Sequence, residues 1–152
     1  MTRFVLFWLI QDLLTVLAWG VVQIPEIFLL SVGYRLLCED EEDRLWAVWT
    51  AFFGGLIWDL RWIGIPGFFT LGYVCVVMLI LWVWSALPAQ GRTPVIFFAL
   101  LEGTQLLPSL LPALILGSEG GWGFYVLQQA FALPLVLLCA CRYARRMKDL
   151  HA

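Results

Sequence analysis

The sequence predicts an all-α integral membrane protein: a compact bundle of six transmembrane helices, two of them short, with both termini cytoplasmic. Three observations lead there. Of the 152 residues 62 % are hydrophobic and only 13 % charged, with a mean hydropathy of +0.90, whereas soluble domains carry about 25 % charged residues. The apolar residues fall into six runs, and the bases gather at alternate ends of those runs. A soluble domain of this length has too little interior to hide nine Trp and eleven Phe among so many aliphatic residues. The whole chain, 1–152, reads as one polytopic domain.

The first run, Phe4–Val22, is interrupted by Gln11-Asp12, and no small-x-small cleavage site follows. It is expected to stay as the first membrane helix rather than act as a cleaved signal. The second and third runs, Ile24–Cys38 and Leu45–Trp58, hold 15 and 14 residues. At 1.5 Å per residue they reach about 20 Å, short of the roughly 30 Å hydrocarbon core. They are short spans, tilted spans, or a hairpin that stops before crossing. The fourth run, Ile63–Leu87, is long enough to cross. The fifth, Pro94–Gly117, contains Pro108 and Pro112, which should kink it. The sixth, Trp122–Arg142, ends in the basic stretch Arg142–Lys148, an anchor for an anionic leaflet.

Continuous apolar runs favour helices over the alternating pattern of a barrel. With the N-terminus inside, six spans place Arg3, Arg35, Arg44, Arg92, Arg142, Arg145, Arg146 and Lys148 on the cytoplasmic face and leave Arg61 outside. That distribution is what the positive-inside rule selects. The five acids Glu39–Asp43 between the second and third runs predict a hydrated cytoplasmic loop. Other connectors are expected around Gln23 and Pro25, at Pro88–Thr93, and at Gly117–Gly123.

Signatures of catalysis are missing. The sole histidine, His151, is the penultimate residue, and Ser109 and Ser118 have no histidine partner. No cofactor or metal is expected, and Cys38, Cys75, Cys139 and Cys141 have the spacing of neither a zinc site nor a disulfide framework. Polar residues within the runs are more informative: Gln11 and Asp12 in the first, Glu102 and Gln105 in the fifth, Gln128 and Gln129 in the sixth. They can form a proton or substrate path, a docking point for a partner helix, or an interhelical polar cluster that fixes helix order. The cluster, built from Asp12, Glu102, Gln105 and Gln128, is the favoured reading.

The most distinctive stretch is Gly54–Gly67. Gly54-Gly55 allows a neighbouring backbone to come close. Asp59 can reach the outer interface or cap the next helix, and Arg61, two residues on, is placed for a local ion pair. Pro66-Gly67 suits the first turn of a helix entering the membrane.

Gly55-Leu56-x-x-Asp59-Leu60, followed eight residues after the acid by Gly67 and a long apolar helix, resembles the central signature of the rod shape-determining protein MreD family. The motif covers about 30 residues; chain length and the six-helix pattern extend the similarity. Departures are Ile63 where the family has a small residue, the glycine one place later at Gly64, the bulky Arg61-Trp62, and Pro66 for an aliphatic residue. The resemblance implies a non-catalytic subunit of the cell-wall elongation machinery in the bacterial cytoplasmic membrane. It implies association with an MreC-like bitopic protein, and through it with an MreB-like filament, a SEDS glycosyltransferase and its transpeptidase. Gly55, Asp59, Arg61, Pro66 and Gly67 would then form a structural or partner-binding corner. The alternative is the substrate-binding S-component of an energy-coupling-factor vitamin transporter, which has similar helix number and size. Against it, the first run has a single alanine, Ala18, where such proteins carry an Ala-x-x-x-Ala docking face, and is crowded with Phe and Trp.

Overall fold

The computed structural model describes residues 2–18, 24–38, 41–63, 66–115 and 122–151, and all regular structure in them is helical. The helices are α1 (Thr2–Leu17), α2 (Ile27–Cys38), α3 (Glu41–Trp58), α4 (Phe68–Ala86), α5 (Pro94–Ile115) and α6 (Trp122–His151). A π-helical turn, Asp59–Ile63, extends α3, and a 3₁₀ turn, Ala89–Gly91, precedes α5. Gln23, Glu39, Asp40, Gly64 and residues 117–121 lie outside the described residues.

The shortest helix is the central one. α2 spans only 12 residues, about 18 Å, yet it packs on each of the other five helices. Seven of its 12 residues are buried. Leu29, Val32 and Leu36 form the middle of the core with Ala51, Tyr73, Val77, Phe97, Leu101 and Val136. A hairpin of α3 and α4 lies on one side of α2, and a hairpin of α5 and α6 on another. Gly33 admits α5: a Cβ there would stand 2.9 Å from the Thr104 methyl. Near the far end, Tyr143 of α6 stacks on Phe97 with centroids 4.1 Å apart, and its hydroxyl donates to the Arg92 carbonyl at 3.2 Å.

Element boundaries differ from the sequence expectation in several places, and α2 starts at Ile27 rather than Ile24. Glu41, Glu42 and Asp43 belong to the first turn of α3 rather than to a loop. α4 begins at Phe68, because residues 59–63 form the π turn that turns Asp59 inward. α5 is helical through residues 108 and 112, which a proline kink allows, and its described part ends at Ile115. α6 contains Pro134, runs on through the basic residues and includes His151. At the head of α5 the Thr93 carbonyl accepts from Phe97 N–H at 3.0 Å, and Pro94 takes the first helical position, which has no amide to satisfy.

Phe68–Ala86 and Tyr125–Lys148 are long and apolar enough to cross a membrane; only 22 % of the latter window is buried in the protein. Phe4–Leu17, Ile27–Cys38 and Pro94–Leu110 are shorter apolar helices. Large aliphatic and aromatic side chains point outward from several of them. Leu6, Leu9 and Leu13 do so on α1, Leu71 and Trp82 on α4, Phe131 and Leu138 on α6. Exposed apolar surface of this kind, where contiguous, marks a contact with a protein partner, a ligand or a membrane.

Candidate functional site

Two polar constructions interrupt the apolar bundle. The first is the corner between α3 and α4. Gly55 and Asp59 lie one helical turn apart and therefore face the same way. A Cβ on Gly55 would stand 2.6 Å from the Thr70 Cα and 2.9 Å from its nitrogen, so the two backbones are in contact. Asp59, with 0 % exposure, reaches into the start of α4. Its Oδ1 accepts from Phe69 N–H at 2.7 Å. Its Oδ2 accepts from Gly67 N–H at 2.9 Å, Thr70 N–H at 2.9 Å and the Thr70 hydroxyl at 2.7 Å.

A helix leaves its first amides without intrahelical partners. Here a carboxylate from the preceding helix takes them, and the positive end of α4 favours its charge. Gly67 makes the approach possible with φ +107°, a conformation open to glycine and strained for other residues. Among the described residues a Cβ at Gly67 would meet nothing within 4 Å. Its requirement is conformational, whereas that of Gly55 is steric. The expected capping role of Asp59 is what the geometry provides. Pro66 is exposed and lies in the turn before α4 rather than in its first helical turn.

Arg61 does not pair with Asp59. The Asp59 oxygens are committed to α4, and the π turn sends Arg61 towards α1. Its Nε lies 2.6 Å from Asp12 Oδ1. Trp62 Nε1 donates to the same oxygen at 3.0 Å, and the guanidinium sits 5.7 Å from the Trp62 ring centroid. The Asp12 side chain is 12 % exposed and that of Arg61 51 %. Trp8 adds a second tie between these helices, donating from Nε1 to the Gly54 carbonyl at 3.3 Å.

The second construction is built on residues 24–26, the entry to α2. Gln11 accepts from Phe28 N–H at 2.8 Å and donates from Nε2 to Glu26 Oε2 at 2.7 Å. The Tyr73 hydroxyl donates to the same Glu26 oxygen. Gln105 accepts from Glu26 N–H at 2.9 Å and donates to the Glu26 carbonyl at 3.1 Å. Gln128 donates to the Ile24 carbonyl at 3.3 Å. Three glutamines from α1, α5 and α6 thus satisfy backbone groups that the interrupted chain leaves open. In an apolar surround such groups cost several kcal/mol each if unpaired, by the order of magnitude of apolar transfer.

The polar cluster expected from sequence therefore divides. Gln105 and Gln128 meet at residues 24–26. Asp12 belongs to the α1–corner tie. Glu102 stands apart: among the described residues its buried Oε2 has no hydrogen-bond partner, and neither do Gln128 Oε1 or the side-chain amide atoms of Gln129. The sequence singled these residues out as polar positions within apolar runs but not which neighbour each one meets. Glu26 and Tyr73, missing from the expected cluster, are its hub. A sequence signal for Glu26 existed, since it is an acid following Pro25 at the head of the shortest run.

The carboxylates of Asp12, Glu26 and Asp59 each accept hydrogen bonds from donors on the chain itself. Among the described residues no three His, Cys, Asp or Glu side chains gather as a metal site. No family model, curated protein or solved structure matches the chain.

Proposed function

We propose that this chain is a non-catalytic subunit of the bacterial cell-wall elongation complex. It crosses the cytoplasmic membrane six times with both termini inside, resembles the MreD family, and binds an MreC-like single-span protein. The observation that carries the reading is the corner. Each residue of the Gly55, Asp59, Gly67 signature has its own physical task there: close approach, capture of the α4 amides, and a left-handed turn. The three residues that carry the resemblance thus act together in one corner, which supports the reading.

The six-span placement is supported by the outward-facing apolar side chains on α1, α4 and α6 and by the positions of the bases. The 18 Å central helix fits a bundle whose polar helix entry is enclosed by protein, the condition under which irregular backbone is tolerated at membrane depth. The vitamin-transporter reading gains less. Gln11, Glu26 and Gln105, the polar groups gathered at that entry, use their hydrogen bonds on the chain itself.

The test is detergent co-purification with an MreC-like bitopic protein, wild type beside Asp59→Ala and Gly67→Leu. Stoichiometric co-elution that falls with the corner variants supports the proposal. Folded wild-type chain that never co-elutes with such a protein, or that carries a small vitamin instead, overturns it.

A further inference from the structure

The outward face of α6 passes from apolar to basic without a break. Phe131, Pro134 and Leu138 are exposed, Phe131 by 53 % and Leu138 by 64 %. Arg142 comes four residues after Leu138 and Arg145 three after that, both exposed. Steps of three and four keep side chains on one face of a helix, so a single stripe runs from Phe131 to Arg145. Val136, Ala140 and Tyr143, on the other face, pack into the core. Arg142 comes eleven residues after Phe131, about 16 Å along the axis. One leaflet of hydrocarbon is about 15 Å deep, half of a core of roughly 30 Å. The stripe thus has the reach of one acyl chain, with guanidinium groups where a head begins.

Four bases close the helix, Arg142, Arg145, Arg146 and Lys148, against one acid, Asp149. Among the described residues none of the four forms an ion pair. Asp149 comes four residues after Arg145, further from the apolar stripe. Uncompensated cations at the end of such a stripe complement an anionic phospholipid. The ammonium of an ethanolamine head would meet like charge at Arg142 and Arg145. An acidic protein segment would match the bases and leave the stripe unused.

We propose that this face of α6 retains one anionic glycerophospholipid, its phosphodiester on Arg142 and Arg145 and an acyl chain along Leu138, Pro134 and Phe131. The inference rests on the membrane placement proposed above and not on the partner. The full chain is reconstituted in vesicles of phosphatidylglycerol and phosphatidylethanolamine in equal amounts, re-extracted in mild detergent, and weighed by native mass spectrometry. One phosphatidylglycerol per chain should persist in preference to phosphatidylethanolamine. Arg142→Gln with Arg145→Gln should lower that preference by about tenfold or more. Arg146→Gln with Lys148→Gln removes the same charge off the stripe and should leave it unchanged. If the first double variant does not fold, Arg145→Gln alone takes its place. Equal loss in both double variants would mean that net charge, and no site, attracts the lipid, and overturns the proposal. So does retention of the two lipids in equal amounts, the outcome expected if an acidic protein segment is the true occupant, or a retained mass of phosphate in place of lipid. A chain that does not enter vesicles refutes the membrane placement as well, whereas a chain that enters them without lipid preference refutes this inference alone.

Discussion

Asp59 holds Thr70 twice, by its backbone amide at 2.9 Å and by its hydroxyl at 2.7 Å, across a helix contact that Gly55 keeps free of side chain. One carboxylate thus fixes both the end of α3 and the beginning of α4. The fold's one left-handed glycine among the described residues, Gly67, stands between them.

Asp59→Ala leaves Gly67, Phe69 and Thr70 N–H and the Thr70 hydroxyl without their acceptor. Unsatisfied buried donors cost about 1–3 kcal/mol each, so a loss of about 3 kcal/mol or more is expected. Thr70→Val removes only the hydroxyl bond and should cost about 1 kcal/mol. Unfolding of the purified chain in detergent, followed by tryptophan fluorescence, gives both values. Equal losses for the two variants would contradict the capping role.

Gly55→Ala and Gly67→Ala should differ in kind. The first forces a methyl to within 2.6 Å of the Thr70 Cα, an overpacking worth about 1–3 kcal/mol. The second meets open space but holds alanine at φ +107°, which costs about 1–2 kcal/mol. A second substitution, Thr70→Gly, does not add space at the Thr70 Cα itself, so it should fail to rescue Gly55→Ala. The expected order of destabilisation is Gly55→Ala first, and the reverse order in an unfolding titration would refute the steric assignment.

The Arg61–Asp12 pair joins a half-exposed guanidinium to a largely covered carboxylate. A pair with an exposed member contributes about 0–1 kcal/mol and weakens with salt. A double-mutant cycle of Arg61→Gln and Asp12→Asn should therefore give a small coupling that shrinks between low and high salt. A coupling that is insensitive to salt would place the pair deeper than its exposure indicates.

Gln11→Leu should loosen the first turn of α2, because Phe28 N–H and Glu26 Oε2 both lose a partner. Hydrogen exchange is the direct readout: the Phe28 amide should exchange faster in the variant, with α4 amides unaffected. Protection at Phe28 equal to wild type would mean that another group caps α2.

Much of the architecture was legible along the chain. The six apolar runs correspond to six helices, and Asp59 was recognisable as a cap because an acid before a Gly/Pro turn and a new apolar helix has amides to satisfy. Arg61 illustrates the limit. Its nearest acid in sequence is Asp59, but its partner is Asp12, 49 positions away. A local rule ranks partners by separation along the chain, whereas the π turn decides which way the guanidinium leaves the helix.

Glu102 and Gln105 make the same point from one turn of α5. Their spacing is helical and their chemistry similar, yet Gln105 closes the entry to α2 and Glu102 does not. Composition and the apolar runs by themselves determined that this chain is helical, roughly where each helix lies, and where a cap was required. These follow from backbone hydrogen bonding and side-chain period, which act over a few residues. Only the tertiary structure decided that the shortest helix is the central one and that Glu26 is the polar hub. It also decided that Asp12 serves the corner, because those outcomes depend on which helix faces meet, and contacts between faces are set by packing across the whole bundle.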